Sequence, residues 1–215
     1  MTDKSPTILF CSLSDRPILS APIYDKLKEY CDYHNYKCVL EDKSLCNERA
    51  PAWSKIILLQ REMKNNPDYD YIIWIDDDIL ITDKDKKFED FIKKYSCGHD
   101  IFVSADAVKS YPINTGIIVC KNNKETLKYL EHIWELCEKY PQYKNGVCLW
   151  EQDVMTKDYE TNKFVKIIPY GTIQTFQRTR NLDWKEGDFS AHFTGMDMET
   201  RIKMRDEVIE RIKNV

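Results

Sequence analysis

Apolar residues occur along the chain in short continuous runs that alternate with helical stripes. A continuous run, typical of a strand buried on both faces, occurs at Thr7–Cys11, and Tyr69–Ile75 is predicted to be the most apolar strand of the chain. Further strands are predicted at 38–40, 101–104, 116–120, 164–168 and 191–193. Helices are predicted at 23–34, 51–65, 88–95, 126–140 and 198–213, with a short one near 150, whereas 171–187 is predicted to be a loop-rich excursion. This alternation predicts an α/β fold of three layers, with a mostly parallel central sheet and a ligand site at the carboxyl ends of its strands.

The composition of the chain limits its domain organisation and its possible functions. The 215 residues, 42% of them hydrophobic, suit one sizeable core, so residues 1–215 are predicted to form a single domain. A formal charge of only -4 argues against a protein that binds nucleic acid or an anionic membrane surface. The first apolar run is too short for a signal peptide, and no stretch approaches the roughly 18 apolar residues of a membrane span. We therefore expect a soluble protein.

The 8 cysteines contain no CxxC pair, which excludes zinc-knuckle and thioredoxin-like motifs. Their even number permits disulfides. Most of them, however, stand at apolar positions of predicted strands or helices, as buried thiols do. A reduced chain of the cytosolic type is therefore favoured.

Three consecutive aspartates, Asp76, Asp77 and Asp78, follow the most apolar predicted strand. Like charges this close raise one another's pKa and destabilise the fold unless a cation neutralises them. Alternation along an extended backbone sends Asp76 and Asp78 to one side, where one metal could bind both carboxylates. Such oxygen ligands suit Mg²⁺ or Mn²⁺ bound together with the phosphates of a substrate. A solvated acidic turn is the alternative.

Two classes of enzyme place a DxD pair at the end of a strand. In haloacid-dehalogenase-like phosphatases the first aspartate is a nucleophile on the first strand, and Thr or Val usually stands two residues after the second. Here that residue is Leu80, and two strand–helix units precede the motif. In nucleotide-sugar glycosyltransferases the pair instead holds a divalent cation on the diphosphate of the donor, after an N-terminal nucleotide-binding half. The position of the motif favours the second class.

Four blocks of sequence then appear in order. The first runs from Ala52-Trp53-Ser54-Lys55 to the aspartates, and the others are residues 114–122 (NTGIIVCKN), 151–153 (EQD) and 192–195 (HFTG). They resemble the WxK…DxD, LNTGxFLLRN, (D/E)Q(S/D)A and HFxGC blocks of glycosyltransferase family 34. That family includes fungal α-galactosyltransferases, mannan-polymerase subunits and plant xyloglucan xylosyltransferases. Each block alone is weak, but four in order, spread over nearly the whole chain, make the resemblance specific.

The resemblance implies a GT-A fold and a metal-dependent, configuration-retaining transfer from a nucleotide sugar, most simply a UDP-sugar, to a glycan or other hydroxyl acceptor. It implies that Asp76, Asp78 and His192 bind Mn²⁺ or Mg²⁺. Catalytic groups that stabilise an oxocarbenium-like transition state and orient the acceptor are expected at Glu151, Gln152 and Asp153. Contacts to the donor are expected from Ser12, Lys55, Asp77, Asn114, Gly116 and Gly195. Ordinary structural roles, such as a capped helix start at Glu151 or a solvated Lys55, are the alternatives.

The chain departs from this family in one charged position. Relatives carry a Lys shortly after HFxG, where it neutralises the leaving diphosphate, but this chain has Met196-Asp197. The preferred substitute is Arg178 in the loop 175–180, with Arg180, Arg201 and Lys203 as alternatives. Family members also tend to be longer and membrane-anchored, so a compact cytoplasmic enzyme, in a viral or microbial setting, is expected.

Two other functions remain open at this point. One is a Mg²⁺-dependent phosphotransferase or nucleotidyltransferase on the same kind of scaffold. The other is a catalytically degenerate subunit that keeps the GT-A fold and binds a metal or a partner.

Overall fold

The computed structural model describes residues 5–96, 98–146, 149–177 and 184–213. Its strands are β1 (Ile8–Leu13), β2 (Lys37–Glu41), β3 (Tyr71–Ile75), β4 (Ile79–Ile81), β5 (Ile101–Ser104), β6 (Asn114–Lys121), β7 (Val165–Ile168), β8 (Thr175–Phe176) and β9 (Ser190–His192). Its α-helices are α1 (Pro17–His34), α2 (Ser54–Asn65), α3 (Phe88–Tyr95), α4 (Lys124–Leu136), α5 (Gln142–Asn145), α6 (Glu151–Thr161) and α7 (Met198–Lys213). The apolar pattern does not predict β4, α5 and β8, because elements this short carry no measurable period.

The main sheet is buried on both faces, as the continuous apolar runs predict. In β1, Leu9 and Cys11 pack on one face, whereas Ile8 and Phe10 pack on the other. Helices α2, α4 and α6 cover the first face, and α1 and α3 cover the second. This arrangement confirms the predicted three-layer α/β fold.

Within the described residues, the main sheet has the strand order β2-β1-β3-β6-β5-β7. Strand β1 pairs in parallel with β2 and β3, and β5 with β7, while β6 runs antiparallel between β3 and β5. The sheet is therefore mostly parallel, as predicted. Because β6 runs the other way, its beginning meets the carboxyl end of β3, and the Asp76 N–H donates to the Gly116 carbonyl at 2.8 Å.

A second, smaller sheet with the order β4-β9-β8 brings a distant part of the chain to the aspartates. Strand β4 follows them directly and pairs antiparallel with β9, so that Ile79 lies opposite His192. The backbone N–H of Phe193 donates to the Asp78 carbonyl at 2.9 Å. This register holds His192 beside Asp78.

The cysteines that the structure describes are free thiols: Cys11, Cys31, Cys38, Cys46, Cys120 and Cys137. All of these except Cys38 are buried, which agrees with their apolar sequence surroundings. Among the described helices, none is long and apolar enough to cross a lipid bilayer.

Candidate active site

A cavity of about 550 Å³ opens where β1 and β3 end and β6 begins. Cavities of this size hold cofactor-sized ligands. Its wall contains residues from all four predicted blocks: Lys55, Asp76, Asp77, Asp78, Asn114, Glu151, Gln152, His192 and Gly195. The fold therefore brings blocks that are far apart in the sequence to one site.

Asp76, Asp78 and His192 converge in the wall of this cavity. One possible ligand atom from each lies within 4.8 Å of the others, and His192 Nε2 lies 3.2 Å from Asp78 Oδ1. A turn, in which the Ile79 N–H donates to the Asp76 carbonyl at 3.1 Å, brings the two carboxylates together, rather than the extended backbone that the sequence suggested. Two carboxylates and an imidazole form a donor set that can hold a divalent cation.

Each of the three aspartates has a protein cation beside it. The pairs are Asp76 with Lys55 (3.1 Å), Asp77 with Arg16, and Asp78 with Arg201 (2.9 Å). Three adjacent carboxylates therefore do not by themselves require a metal, since the chain supplies its own neutralising charges. A metal adds to this arrangement and is not needed to explain how the acidic run folds.

The surrounding charges act differently on the two buried aspartates. Burial opposes the ionisation of Asp78, but His192 and Arg201 outweigh it and lower the pKa of Asp78 well below its usual value. Burial and the neighbouring Asp78 charge raise the pKa of Asp77, although Arg16 and Ser14 bind its carboxylate. Asp78 is thus held in the carboxylate form that a metal ligand needs.

Lys55 is almost fully buried, with 4% of its surface exposed. Its Nζ lies 2.7 Å from Glu151 Oε1 and 3.1 Å from Asp76 Oδ1, and it donates to the Thr115 carbonyl at 3.1 Å. Burial disfavours the ammonium charge, but Asp76 and Glu151 raise the pKa of Lys55 above its usual value. Because these contacts occupy three donors, the observed role of Lys55 is to link Asp76 with Glu151. A contact with the donor stays a prediction.

Glu151 and Gln152 begin α6 and are anchored by Thr115 of β6. The Thr115 N–H donates to Gln152 Oε1 at 3.0 Å, and the Thr115 hydroxyl donates to Glu151 Oε1 at 2.9 Å. Burial raises the pKa of Glu151, and Lys55 opposes that shift. Glu151 Oε2 is buried and has no hydrogen-bond partner among the described residues. The helix start therefore presents fixed polar groups to the cavity.

Asn114 is the centre of a buried hydrogen-bond chain. Its amide nitrogen donates to Asp106 Oδ2 at 2.9 Å, and its oxygen accepts from Gln174 Nε2 at 2.7 Å and from the Gly116 N–H at 2.9 Å. A Cβ atom at Gly116 would lie 2.7 Å from both Gln174 Oε1 and His192 Cε1. Glycine is thus required here so that His192 and Gln174 can pack against the strand.

The structure does not bring every predicted residue to the cavity. Ser12 is buried outside the cavity wall and donates to the Tyr24 hydroxyl oxygen at 3.1 Å. Asp153 accepts from the Leu149 N–H at 2.9 Å and so caps the start of α6, which is the alternative considered for this block. Arg178, the preferred extra cation, lies outside the described residues.

Three residues of the site were missed by sequence reasoning. Arg16 follows the polar loop after β1, and Asp106 stands two positions after the end of β5. Because both residues follow the carboxyl end of a strand, their positions in the sequence could have indicated a role at the site. Gln174 lies in the loop-rich excursion and carries no such signal. Arg201, which contacts Asp78, was considered only as an alternative.

Comparison with known proteins identifies the family that the chain resembles. Residues 10–102 match the profile of the galactosyl transferase GMA12/MNN10 family, which is glycosyltransferase family 34. Galactomannan galactosyltransferase 1 of Cyamopsis tetragonoloba is 24% identical over 201 residues, which cover 87% of this chain and 43% of the relative. The alpha-1,2-galactosyltransferase of Schizosaccharomyces pombe is 33% identical over 72 residues, covering 32% of this chain and 19% of the relative. The chain spans less than half the length of these two curated relatives.

A solved structure supports the fold. The crystal structure of a glycosyltransferase involved in the glycosylation of the major capsid of PBCV-1 superposes with a TM-score of 0.75, covering 98% of this chain and 100% of that chain. At 20% identity this likeness shows the fold alone. Together with the four blocks, these matches confirm the resemblance that the sequence indicated. The chain has a GT-A fold, and its residues 10–102 resemble glycosyltransferase family 34.

Proposed function

We propose that the chain transfers a hexose or pentose from a nucleotide sugar, with a UDP-sugar as the favoured donor, to a hydroxyl group of a glycan or similar acceptor. The transfer is proposed to retain the configuration of the anomeric carbon. The observation that carries this proposal is the convergence of Asp76, Asp78 and His192 in a cavity that Asn114 and Gln152 also line. The two relatives described above are named as galactosyltransferases, which supports a sugar as the transferred group.

A divalent ion, Mn²⁺ or Mg²⁺, is proposed to be held by Asp76, Asp78 and His192. The fit rests on the donor set of two carboxylates and one imidazole, whose ligand atoms lie within 4.8 Å of one another. Asp76 Oδ1 already accepts from the Trp74 indole at 2.6 Å and faces Lys55, which orients its other oxygen for ligation. When bound, such an ion supplies positive charge that stabilises the diphosphate as a leaving group.

The groups at the start of α6 are proposed to act on the sugar. Gln152 Oε1 is fixed by the Thr115 N–H, so its amide nitrogen, which makes no hydrogen bond with the part of the chain that the structure describes, is available to a sugar hydroxyl. Lys55 favours the carboxylate form of Glu151 against burial. A carboxylate in the cavity wall stabilises positive charge that develops at the anomeric carbon.

The test is a screen of UDP- and GDP-sugars by thermal shift, with and without Mn²⁺, followed by measurement of nucleotide release. A donor at about 100 times its Kd is expected to raise the Tm by on the order of 5 °C, and only when Mn²⁺ is present. Slow hydrolysis of the same donor is expected without an acceptor. If no nucleotide sugar shifts the Tm or is hydrolysed, the transferase proposal fails.

A further inference from the structure

We propose that Arg201 binds the phosphate groups of the nucleotide sugar and counters the charge of the departing diphosphate. This inference rests on the proposed function and deepens it. The residue lies at the start of α7, outside the four blocks, and its side chain lines the same cavity.

The capped start of α7 places Arg201 at the site. Asp197 precedes α7 and caps it, since its carboxylate accepts from the Thr200 N–H at 2.9 Å and from the Thr200 hydroxyl at 2.7 Å. The Arg201 N–H then donates to the Asp197 carbonyl at 3.0 Å, which completes the first turn. The cap therefore fixes where the helix begins and which of its residues reaches the cavity.

The guanidinium group of Arg201 is oriented but not fully used. Its Nε donates to the Met196 carbonyl at 2.9 Å, and its Nη1 donates to Asp78 Oδ2 at 2.9 Å. Its Nη2 makes no hydrogen bond with any residue that the structure describes, and 18% of the side chain is exposed. A planar guanidinium that is held on two sides presents its remaining N–H groups in a fixed direction, which suits recognition of phosphate oxygens.

The charge of the cavity wall shows why such a group is needed. Counting the described residues, the wall has six acidic side chains (Asp15, Asp76, Asp77, Asp78, Asp106 and Glu151) and three basic ones (Arg16, Lys55 and Arg201). An excess of carboxylates repels a diphosphate, and a divalent ion offsets only part of this repulsion.

Of the three cations, Arg201 is the best placed to help. The donors of Lys55 are taken up by protein groups, and Arg16 is held by both oxygens of Asp77, which lies outside the metal-binding triad. Arg201 instead contacts Asp78, a member of that triad. Its unused nitrogen is therefore next to the point where metal and phosphates are proposed to meet.

The experiment compares wild type with Arg201→Met, Arg201→Lys and the control Lys203→Met. Lys203 lies on the same helix with 71% of its side chain exposed, so its replacement removes the same charge without touching the cavity. Three affinities are measured: UDP with Mn²⁺ and Mn²⁺ alone by calorimetry, and uridine by saturation-transfer NMR. Uridine shares the nucleoside but lacks phosphates.

Arg201→Met is expected to weaken UDP binding by about 10- to 100-fold, the range for a lost charge-assisted hydrogen bond, and to leave uridine and Mn²⁺ binding within about threefold. Arg201→Lys is expected to recover part of the loss, and Lys203→Met to change nothing. Unchanged UDP affinity in Arg201→Met overturns the proposal. An equal loss of Mn²⁺ affinity also overturns it, because Arg201 would then act only by positioning Asp78.

A failure of this inference can be told apart from a failure of the proposed function. If wild type binds no UDP in the presence of Mn²⁺, the proposed function fails. If wild type binds UDP and Arg201→Met binds it equally well, only the role of Arg201 is lost. If circular dichroism shows that Arg201→Met does not fold, Arg201→Lys is used for the test. UDP affinity equal to wild type, together with weaker Mn²⁺ binding, would then contradict phosphate recognition.

Discussion

The ammonium nitrogen of Lys55 lies 2.7 Å from Glu151 Oε1 in a position where both side chains are at most 5% exposed. This contact joins helix α2 to the first residue of helix α6. The same nitrogen lies 3.1 Å from Asp76 Oδ1, so one buried charge connects a proposed metal ligand with a proposed catalytic carboxylate.

Replacing Lys55 by Met is expected to destabilise the protein by about 3–5 kcal/mol, because it leaves Glu151 as a buried carboxylate without its cation and removes the same cation from the partly exposed Asp76. Equilibrium unfolding in urea measures the change. Lys64→Met, on the same helix but 55% exposed at its side chain, is the control and is expected to change stability by less than about 0.5 kcal/mol. If the two variants are equally stable, the buried contact between Lys55 and Glu151 makes no net contribution to the stability of the protein.

Replacing Gly116 by Ala is expected to cost about 1–3 kcal/mol through overpacking, since the new Cβ would lie 2.7 Å from Gln174 Oε1 and from His192 Cε1. The displacement of His192 should also weaken binding of Mn²⁺, measured by calorimetry without nucleotide. Gly98→Ala is the control for metal binding alone, because a Cβ at Gly98 meets nothing within 4 Å, although the φ of 82° at this position strains an alanine. Mn²⁺ affinity that is the same in both variants would count against His192 as a ligand.

Replacing Asp78 by Asn is expected to lower Mn²⁺ affinity by more than the roughly 10- to 100-fold that loss of a supporting partner costs. The reason is that the amide keeps the shape of the side chain but removes its charge. Asp106→Asn makes the same chemical change in the same cavity, outside the triad, and is expected to change Mn²⁺ affinity by less than about threefold. A similar loss in both variants would indicate a general effect of cavity charge rather than ligation.

The cap at Asp197 predicts a pH-dependent contribution to stability. Hydrogen bonds from the Thr200 N–H and hydroxyl lower the pKa of Asp197 below its usual value. A carboxylate whose pKa is lower in the folded state stabilises the protein fully above the unfolded pKa of about 3.9 and loses that effect as the pH falls through the folded pKa. Asp197→Ala should therefore be less stable than wild type at pH 7, and the difference should shrink below about pH 4.

Urea unfolding at several pH values checks this prediction. Glu207→Ala is the control, since Glu207 lies on α7 beyond its first turn and is exposed. A stability difference between wild type and Asp197→Ala that is constant from pH 7 to pH 3 would contradict the cap as the source of the effect.

Much of the fold follows from the sequence because its strands are buried on both faces. Strand β3, which ends at Ile75, is apolar throughout, and its position directly before Asp76 places the acidic motif at a sheet edge. The antiparallel direction of β6 does not follow, because burial of a strand is the same in either direction. The sequence motifs predicted which residues gather at the site, but they did not predict their partners.

The partners depend on long-range packing, and this explains what was missed. Lys55 looks like an ordinary helix lysine in the sequence, and its burial between two carboxylates becomes visible only when β3 and α6 meet. Arg201 lies in a charged helix that carries no apolar run, so nothing local distinguishes it from Lys203. The cap at Asp197 determines where α7 begins, and the start of the helix decides which of the two residues faces the cavity.

The reversed strand β6 also bears on how enzymes of this shape can diversify. Since β6 enters the sheet at the cavity, residues 105–113, which join β5 to β6, form part of the cavity rim through Asp106, Val108 and Tyr111. Register with β3 is set only afterwards, by residues 117–121. Lengthening this segment between Asp106, which accepts a hydrogen bond from Asn114, and the buried Ile113 would therefore reshape the cavity rim while β6 keeps its register with β3.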